Sequence, residues 1–206
     1  MKRGRLFVIA APSGAGKTSL VKALLASEPQ LRLSISHTTR TRRPTEAQGR
    51  EYHFVSAPQF AELIARGEFL EHARVFDNLY GTSRAFVEAQ LAQGHDVVLE
   101  IDWQGAQQVR RALPECVSIF ILPPSRQALA ERLARRATDT PEVISRRLQD
   151  AAGDMSHYAE FDYLVVNDDF AKAASELKRI IAGHGEDLRS NRPALASLLG
   201  ELLAAP

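Results

Sequence analysis

Cysteine is almost absent from this 206-residue chain. Cys116 stands alone, so no disulfide can form within the chain, and such usage fits a reducing compartment. Its neighbours Val117-Ser118-Ile119-Phe120-Ile121-Leu122 are apolar, which makes it a buried small hydrophobe rather than a nucleophile. Net charge is nearly absent as well: at +1, the whole molecule carries no nucleic-acid signature. No apolar run approaches the roughly 20 residues of a membrane span. The basic start Met1–Arg5 leads through a short apolar run straight into a Gly-rich turn, which excludes a signal peptide. Internal repeats and low-complexity segments are missing too. These absences point to a globular protein of the cytoplasm with no membrane or nucleic-acid partner, and the length suffices for a buried core. Self-association is left open.

What is present is organised. Four apolar, β-branched-rich runs, Leu6–Ala10, Val97–Ile101, Val117–Leu122 and Tyr163–Val166, alternate with helical patterns. The helical patterns are Lys17–Ser27, Gln104–Ala112, Arg126–Arg136 and Phe170–Ile181. Near-continuous apolar strands alternating with helices predict an α/β fold with a parallel central sheet covered on both faces. Residues 34–86 read differently. Ser34–Thr38, Glu51–Val55 and Phe69–Ala73 alternate polar and apolar residues, as half-exposed strands do, and a short helix at Ala57–Arg66 ends at Gly67. This stretch is expected to be a small mixed lobe inserted into the core. A polar segment from Ala137 to about Pro141 separates two helices, and the second carries Ile144, Leu148, Ala151, Met155 and Tyr158 on one stripe. The tail from Pro193 onward is a short helix candidate.

Four groups of residues carry chemistry. Ala11-Pro12-Ser13-Gly14-Ala15-Gly16-Lys17-Thr18 joins the first strand to the first helix. There Gly14 and Gly16 free backbone N–H groups to face a polyphosphate, Lys17 can reach the β- and γ-phosphates, and the Thr18 hydroxyl can ligate Mg²⁺. The usual opening glycine is Ala11 here, which requires that its backbone stay out of the left-handed region. The plain alternative is an ordinary turn, but a lysine in a helix's first turn is unfavourable with no anion beside it. Ser36–Pro44 holds Arg40, Arg42 and Arg43 among hydroxyls, which suits a second phosphate site or a merely solvated loop; Tyr52 and Tyr80 could complete the former. Arg132, Arg135, Arg136, Arg146 and Arg147 flank the polar segment, either as surface charge or as a lid that neutralises a phosphoryl group in transfer. Asp102, following an apolar strand, can hold Mg²⁺ through water or cap the next helix. Together these describe a small-molecule phosphotransferase.

In order, Ala11–Thr18, Ser36-His37-Thr38-Thr39-Arg40, Gly49-Arg50-Glu51-Tyr52-His53-Phe54, Tyr80-Gly81-Thr82, Asp102-Trp103-Gln104-Gly105 and Val166-Asn167-Asp168-Asp169 resemble the motifs of the guanylate kinases, in their bacterial form. The resemblance runs from Arg5 to about Leu188. It implies the P-loop three-layer fold of the nucleoside monophosphate kinases, with a core of residues 5–33 and 87–188, a GMP-binding lobe at about 34–86 and a lid at about 132–147. Residues 189–206 form a tail outside it.

The implied activity is transfer of the ATP γ-phosphoryl to GMP with Mg²⁺, giving ADP and GDP. By the same resemblance, Arg40, Arg43, Tyr52 and Tyr80 hold the GMP phosphate. Ser36, Glu71 and Thr82 read guanine, with Asp102 also on the GMP side. Lys17, Arg136 and Arg147 stabilise the moving phosphoryl, Arg132 less so, and Asn167 lies near the adenine. The family often has Gly-Arg-Gly where this chain reads Arg135-Arg136-Ala137; Arg136 is the expected inward member. Two alternatives compete: a kinase for a phosphorylated ribose, and a non-catalytic binding module of the same fold. A guanine reader argues against the first, and Lys17 with the lid arginines against the second. No Asn-Lys-x-Asp motif marks a signalling GTPase. In-line transfer after closure of lobe and lid is the expected mechanism.

Overall fold

The computed structural model describes residues 2–135 and 141–204, without the side chains of residues 141–144 and 147. Runs that are apolar on both faces become buried strands. Every residue of β1 (Leu6–Ala10) is buried, and α1 (Lys17–Ser27) follows after the Gly-rich turn. Then come β2 (Arg32–Leu33), β3 (His37–Thr38), β4 (His53–Phe54), α2 (Ala57–Ala65), β5 (Phe69–Val75), β6 (Asn78–Ser83) and α3 (Arg84–Ala92). β7 (Val97–Glu100), α4 (Trp103–Ala112), β8 (Val117–Leu122), α5 (Arg126–Ala134) and α6 (Pro141–Ser156) lead to β9 (Tyr163–Val166), α7 (Phe170–Ile181) and α8 (Ala196–Leu203). The central sheet has the order β2-β7-β1-β8-β9, and the pairs β2/β7 and β8/β9 are parallel. Among the described residues, no helix is long and apolar enough to cross a membrane.

The chain divides into two compact units. The first comprises Met1–Val8 and Glu28–Val117. It contains the second sheet, of order β4-β3-β6-β5, in which β3 runs parallel to β4 and antiparallel to β6. Short elements here depend on their caps. Helix α2 starts with a reciprocal capping box: the Ser56 hydroxyl accepts from the Gln59 N–H, and the Gln59 side chain accepts from the Ser56 N–H at 2.8 Å. It stops at Arg66, and Gly67 follows with φ +68°. Helix α4 packs on β5. Gln108 ties the two together, its Oε1 accepting from the His72 N–H at 3.1 Å and its Nε2 donating to the His72 carbonyl at 2.7 Å.

The second unit comprises Ile9–Ser27 and Ser118–Pro206. Here α1 and α7 pack together, and α7 lies on β9. Leu129 and Leu133 of α5 and Ala151 of α6 form a buried apolar cluster, with Leu148 against it. The Leu/Ala tail begins with a 3-10 turn at Pro193–Leu195, and α8 follows it.

The lobe differs from the expectation in detail. Two of its expected strands shrink to two residues each, because β3 and β4 form few ladder contacts. Strand β6 and helix α3 have no counterpart among the expected elements. Gly81 weakens the strand signal of β6, yet the packing demands it: a Cβ there would lie 3.0 Å from the Phe69 ring and 3.1 Å from Phe60. The β5–β6 turn is made by Phe76-Asp77, with Phe76 at φ +53°, rather than by an Asn-Gly or Asp-Gly pair.

Candidate functional site

In the second unit, the turn after β1 has the conformation that an anion-binding loop needs. Gly14 (φ +91°) and Gly16 (φ +95°) occupy the region glycine adopts without strain. Ala11 is not among the residues of positive φ, so the missing first glycine imposes no backbone strain. Each glycine also permits a close approach. A Cβ on Gly14 would lie 2.9 Å from Leu133 Cγ, and one on Gly16 would lie 2.3 Å from Asn167 Nδ2. Asn167 is 5% exposed and fastens the turn: its Nδ2 donates to the Ala15 carbonyl at 2.7 Å. Its backbone N–H donates to the Leu122 carbonyl at 2.9 Å. The Asn167 carbonyl in turn accepts from Arg132 Nη2 at 2.8 Å, and Nη1 of that guanidinium is buried with no partner among the described residues. The side-chain amide of Asn167 therefore supports the loop backbone.

Lys17 and Thr18 open α1, whose first turn has no acidic residue, so nothing of opposite sign on the helix offsets its positive pole. Ser13 is half-buried beside them, and Pro12 and Ala15 are buried. Arg135 ends α5 and Arg146 lies on α6, both exposed. Arg136 and the Arg147 side chain lie outside the described residues.

The first unit holds the other predicted residues. Glu71 and Thr82 face each other across the β5–β6 ladder, 3% and 0% exposed. The Thr82 hydroxyl donates to Glu71 Oε1 at 2.5 Å, a charge-assisted bond to a carboxylate. Gly105 allows α4 to approach: a Cβ there would be 2.5 Å from Glu71 Oε2 and 3.2 Å from Asp102 Oδ1. Asp102 is the N-cap of α4. Its Oδ1 accepts from the Gly105 N–H at 2.8 Å, and its Oδ2 accepts from Gln104 Nε2 at 3.1 Å. Ser36 is buried, and its carbonyl accepts from the His53 N–H at 2.9 Å.

Arg40, Tyr52 and Tyr80 converge. The Arg40 guanidinium lies over the Tyr52 ring at 5.4 Å, and the two tyrosine rings are 5.8 Å apart. Burial opposes the Arg40 charge, but the hydrogen bond and charge of Glu46, with Tyr80, outweigh it and raise the pKa above its usual range. Burial, with Glu100 and Tyr80 nearby, pushes the Tyr52 phenol up to about 12, so it stays a protonated donor. Glu46 is the residue that sequence reasoning missed. It accepts from Arg40 Nη2 at 2.7 Å and from the Arg43 backbone N–H at 2.8 Å, and so shapes the whole arginine loop. No motif marks it, because its role depends on a turn of six residues. The Arg43 side chain itself is exposed.

Beneath this cluster, His37 stacks on His53 with ring centroids 4.7 Å apart. Burial, and then the charge of His53, lower the His37 pKa from 6.5, while Glu68 acts the other way. The folded state therefore binds fewer protons than the unfolded chain just below pH 6.5, and stability falls as pH drops through that range. Thermal unfolding of His37→Asn is expected to show a flatter decline between pH 6.5 and 5; an unchanged slope would assign the decline to other groups.

Comparison with known proteins decides the family. The family model described as guanylate kinase matches residues 3–184. A guanylate kinase of Alkalilimnicola ehrlichii is 56% identical over 97% of this chain and 98% of its own. That of Methylococcus capsulatus is 56% identical over 98% of this chain and 100% of its own. The chain belongs to the guanylate kinase family. The crystal structure of a guanylate kinase from Anaplasma phagocytophilum agrees: it covers 100% of this chain with 98% of its own, at a TM-score of 0.75 and 31% identity. The family-model match takes in both the Gly-rich loop and the Glu71–Thr82 pair and ends at residue 184, while the matches to the individual relatives extend into the tail.

Proposed function

We propose that the chain transfers the γ-phosphoryl group of ATP to GMP, giving ADP and GDP, in the purine nucleotide metabolism of the reducing cytoplasm. The observation that carries the choice of acceptor is the buried Glu71–Thr82 pair. Guanine presents its N1–H and its exocyclic N2 amino group side by side, and one carboxylate accepts from both. Adenine has neither donor there, and a base-free ribose phosphate brings no base donor at all. Burying such a group without its partner is costly, which is how a site rejects the wrong base. Ser36 and Asp102 border the same region.

Phosphoryl transfer needs orientation and charge neutralisation more than covalent help. Arg40, Arg43, Tyr52 and Tyr80 hold the GMP phosphate; Glu46 keeps Arg40 turned by occupying one edge of its guanidinium. A phosphate oxygen of GMP forms the new bond to the γ-phosphorus, and the bond to the bridging oxygen of ADP breaks. Lys17 neutralises charge on the β- and γ-oxygens, supported by the N–H groups of Gly14, Gly16, Lys17 and Thr18 and the positive pole of α1. Arg136 and Arg147 take the charge on the moving group, with Arg132 as a weaker member. Asn167 serves the donor nucleotide through the loop that it holds.

Mg²⁺ suits the donors present. It is bound by few protein oxygens plus substrate phosphates. The Thr18 hydroxyl would hold it directly. Both Asp102 oxygens already accept hydrogen bonds, so Asp102 would hold it through water. Held there, it would supply positive charge that offsets the negative charge of the donor phosphates. Turnover compared across GMP, AMP, IMP and ribose bisphosphate tests the proposal.

A further inference from the structure

The family match ends at residue 184, yet the chain continues into a structured tail. That tail is fastened to the second unit at three places. Leu195, Leu199 and Leu202 are buried, Leu202 completely, and α8 packs against α6. The Arg126 guanidinium, at the start of α5, donates to the Ala204 carbonyl. Arg192 Nη1 donates to the Leu164 carbonyl of β9 at 2.9 Å.

Each of these anchors bears on an element that seats the Gly-rich loop. The α5 leucines that cluster with Ala151 of α6, Leu129 and Leu133, are the ones on which Gly14 rests, with distances of 3.0 and 2.9 Å to a Cβ built there. Asn167, which follows β9, holds the loop through Ala15. These distances leave no room for even a methyl group between Gly14 and the two leucines, so a displacement of α5 presses on the loop backbone or opens a gap beneath it. Packed interiors transmit such shifts because they have little room to absorb them.

Resting on the reading of the loop as the ATP site, we infer that α8 is a brace for the donor side. It holds α6, and through α6 the Leu129–Leu133 face of α5, in the place that keeps Gly14 and its neighbours fitted to the phosphates. Leu202 is a positioning residue in this arrangement and touches no substrate. Arg126 pins the far end of the brace.

The test uses the full chain with Leu202→Ala, Leu202→Met and Arg126→Gln. ADP and GMP affinities are measured separately by calorimetry, beside steady-state kinetics and thermal unfolding. Leu202→Ala is expected to weaken ADP about tenfold, in the range by which small remote misplacements act, and to raise the ATP KM in parallel. GMP affinity should stay within about twofold, and Leu202→Met should restore most of the loss. Arg126→Gln, a change at a half-buried side chain outside the apolar core, should weaken ADP about threefold and serves if Leu202→Ala fails to fold. Folded variants with a lowered Tm but unchanged ADP affinity would show the tail to be structural only and overturn the inference. Because ADP binding is read without an acceptor, the two readings fail separately. Wild-type protein that leaves GMP unphosphorylated refutes the proposed function alone, while unchanged ADP affinity in active variants refutes the brace alone.

Discussion

Lys17→Ala is expected to lower kcat by about 10²- to 10³-fold or more, the scale seen when one electrostatic stabiliser of a transition state is removed. The residue opens α1 at its positive pole, next to two glycines whose backbone is already set for an anion. Charge builds on the β–γ bridging oxygen as the bond breaks, so the ammonium group matters more in the transition state than in the bound substrate. The loss should therefore fall on kcat more than on the ATP KM. Lys17 serves the donor nucleotide, so GMP affinity should change little. Near-normal kcat would remove the loop from the mechanism.

Glu71→Gln carries the second large effect. The amide replaces a two-fold acceptor by one acceptor and one donor, and the donor opposes the guanine N–H groups. Two charge-assisted bonds of roughly 1.5–3 kcal/mol each are weakened, so kcat/KM for GMP should fall by roughly 10²- to 10³-fold. Activity with AMP, which presents no such donors, should change little, and the ATP KM should not move. A hydrogen bond kept from Thr82 is not expected to restore selectivity, since the new amide would still turn an N–H toward the base. Unchanged preference for GMP over AMP would refute the role of Glu71 as base reader.

How much is legible in the residues follows from the range of the contacts involved. Leu6–Ala10, Val117–Leu122 and Tyr163–Val166 are apolar along their whole length because both faces are covered, so a local pattern suffices to find them. The β6 strand escapes, since Gly81 is chosen by the Phe69 and Phe60 rings, which lie elsewhere in the sequence. The Gly-rich loop is a local device and is readable as one. The pairing of Glu71 with Thr82 depends on the register of a hairpin whose turn has no strong signal, and only family resemblance reaches it. Asn167 is the clearest case of a distant determinant: its amide holds Ala15, 152 residues earlier in the chain. Asp102 admits two readings, and the structure gives the capping one directly, through Gly105.

The most direct test of the central claim quantifies both products of one reaction: purified chain, ATP, Mg²⁺ and each acceptor in turn. Equal amounts of ADP and GDP with GMP, fast turnover with GMP over AMP, IMP and ribose bisphosphate, and little free phosphate are the predicted result. Faster turnover with any of the other three acceptors, or ADP formed with free phosphate and no GDP, would contradict it.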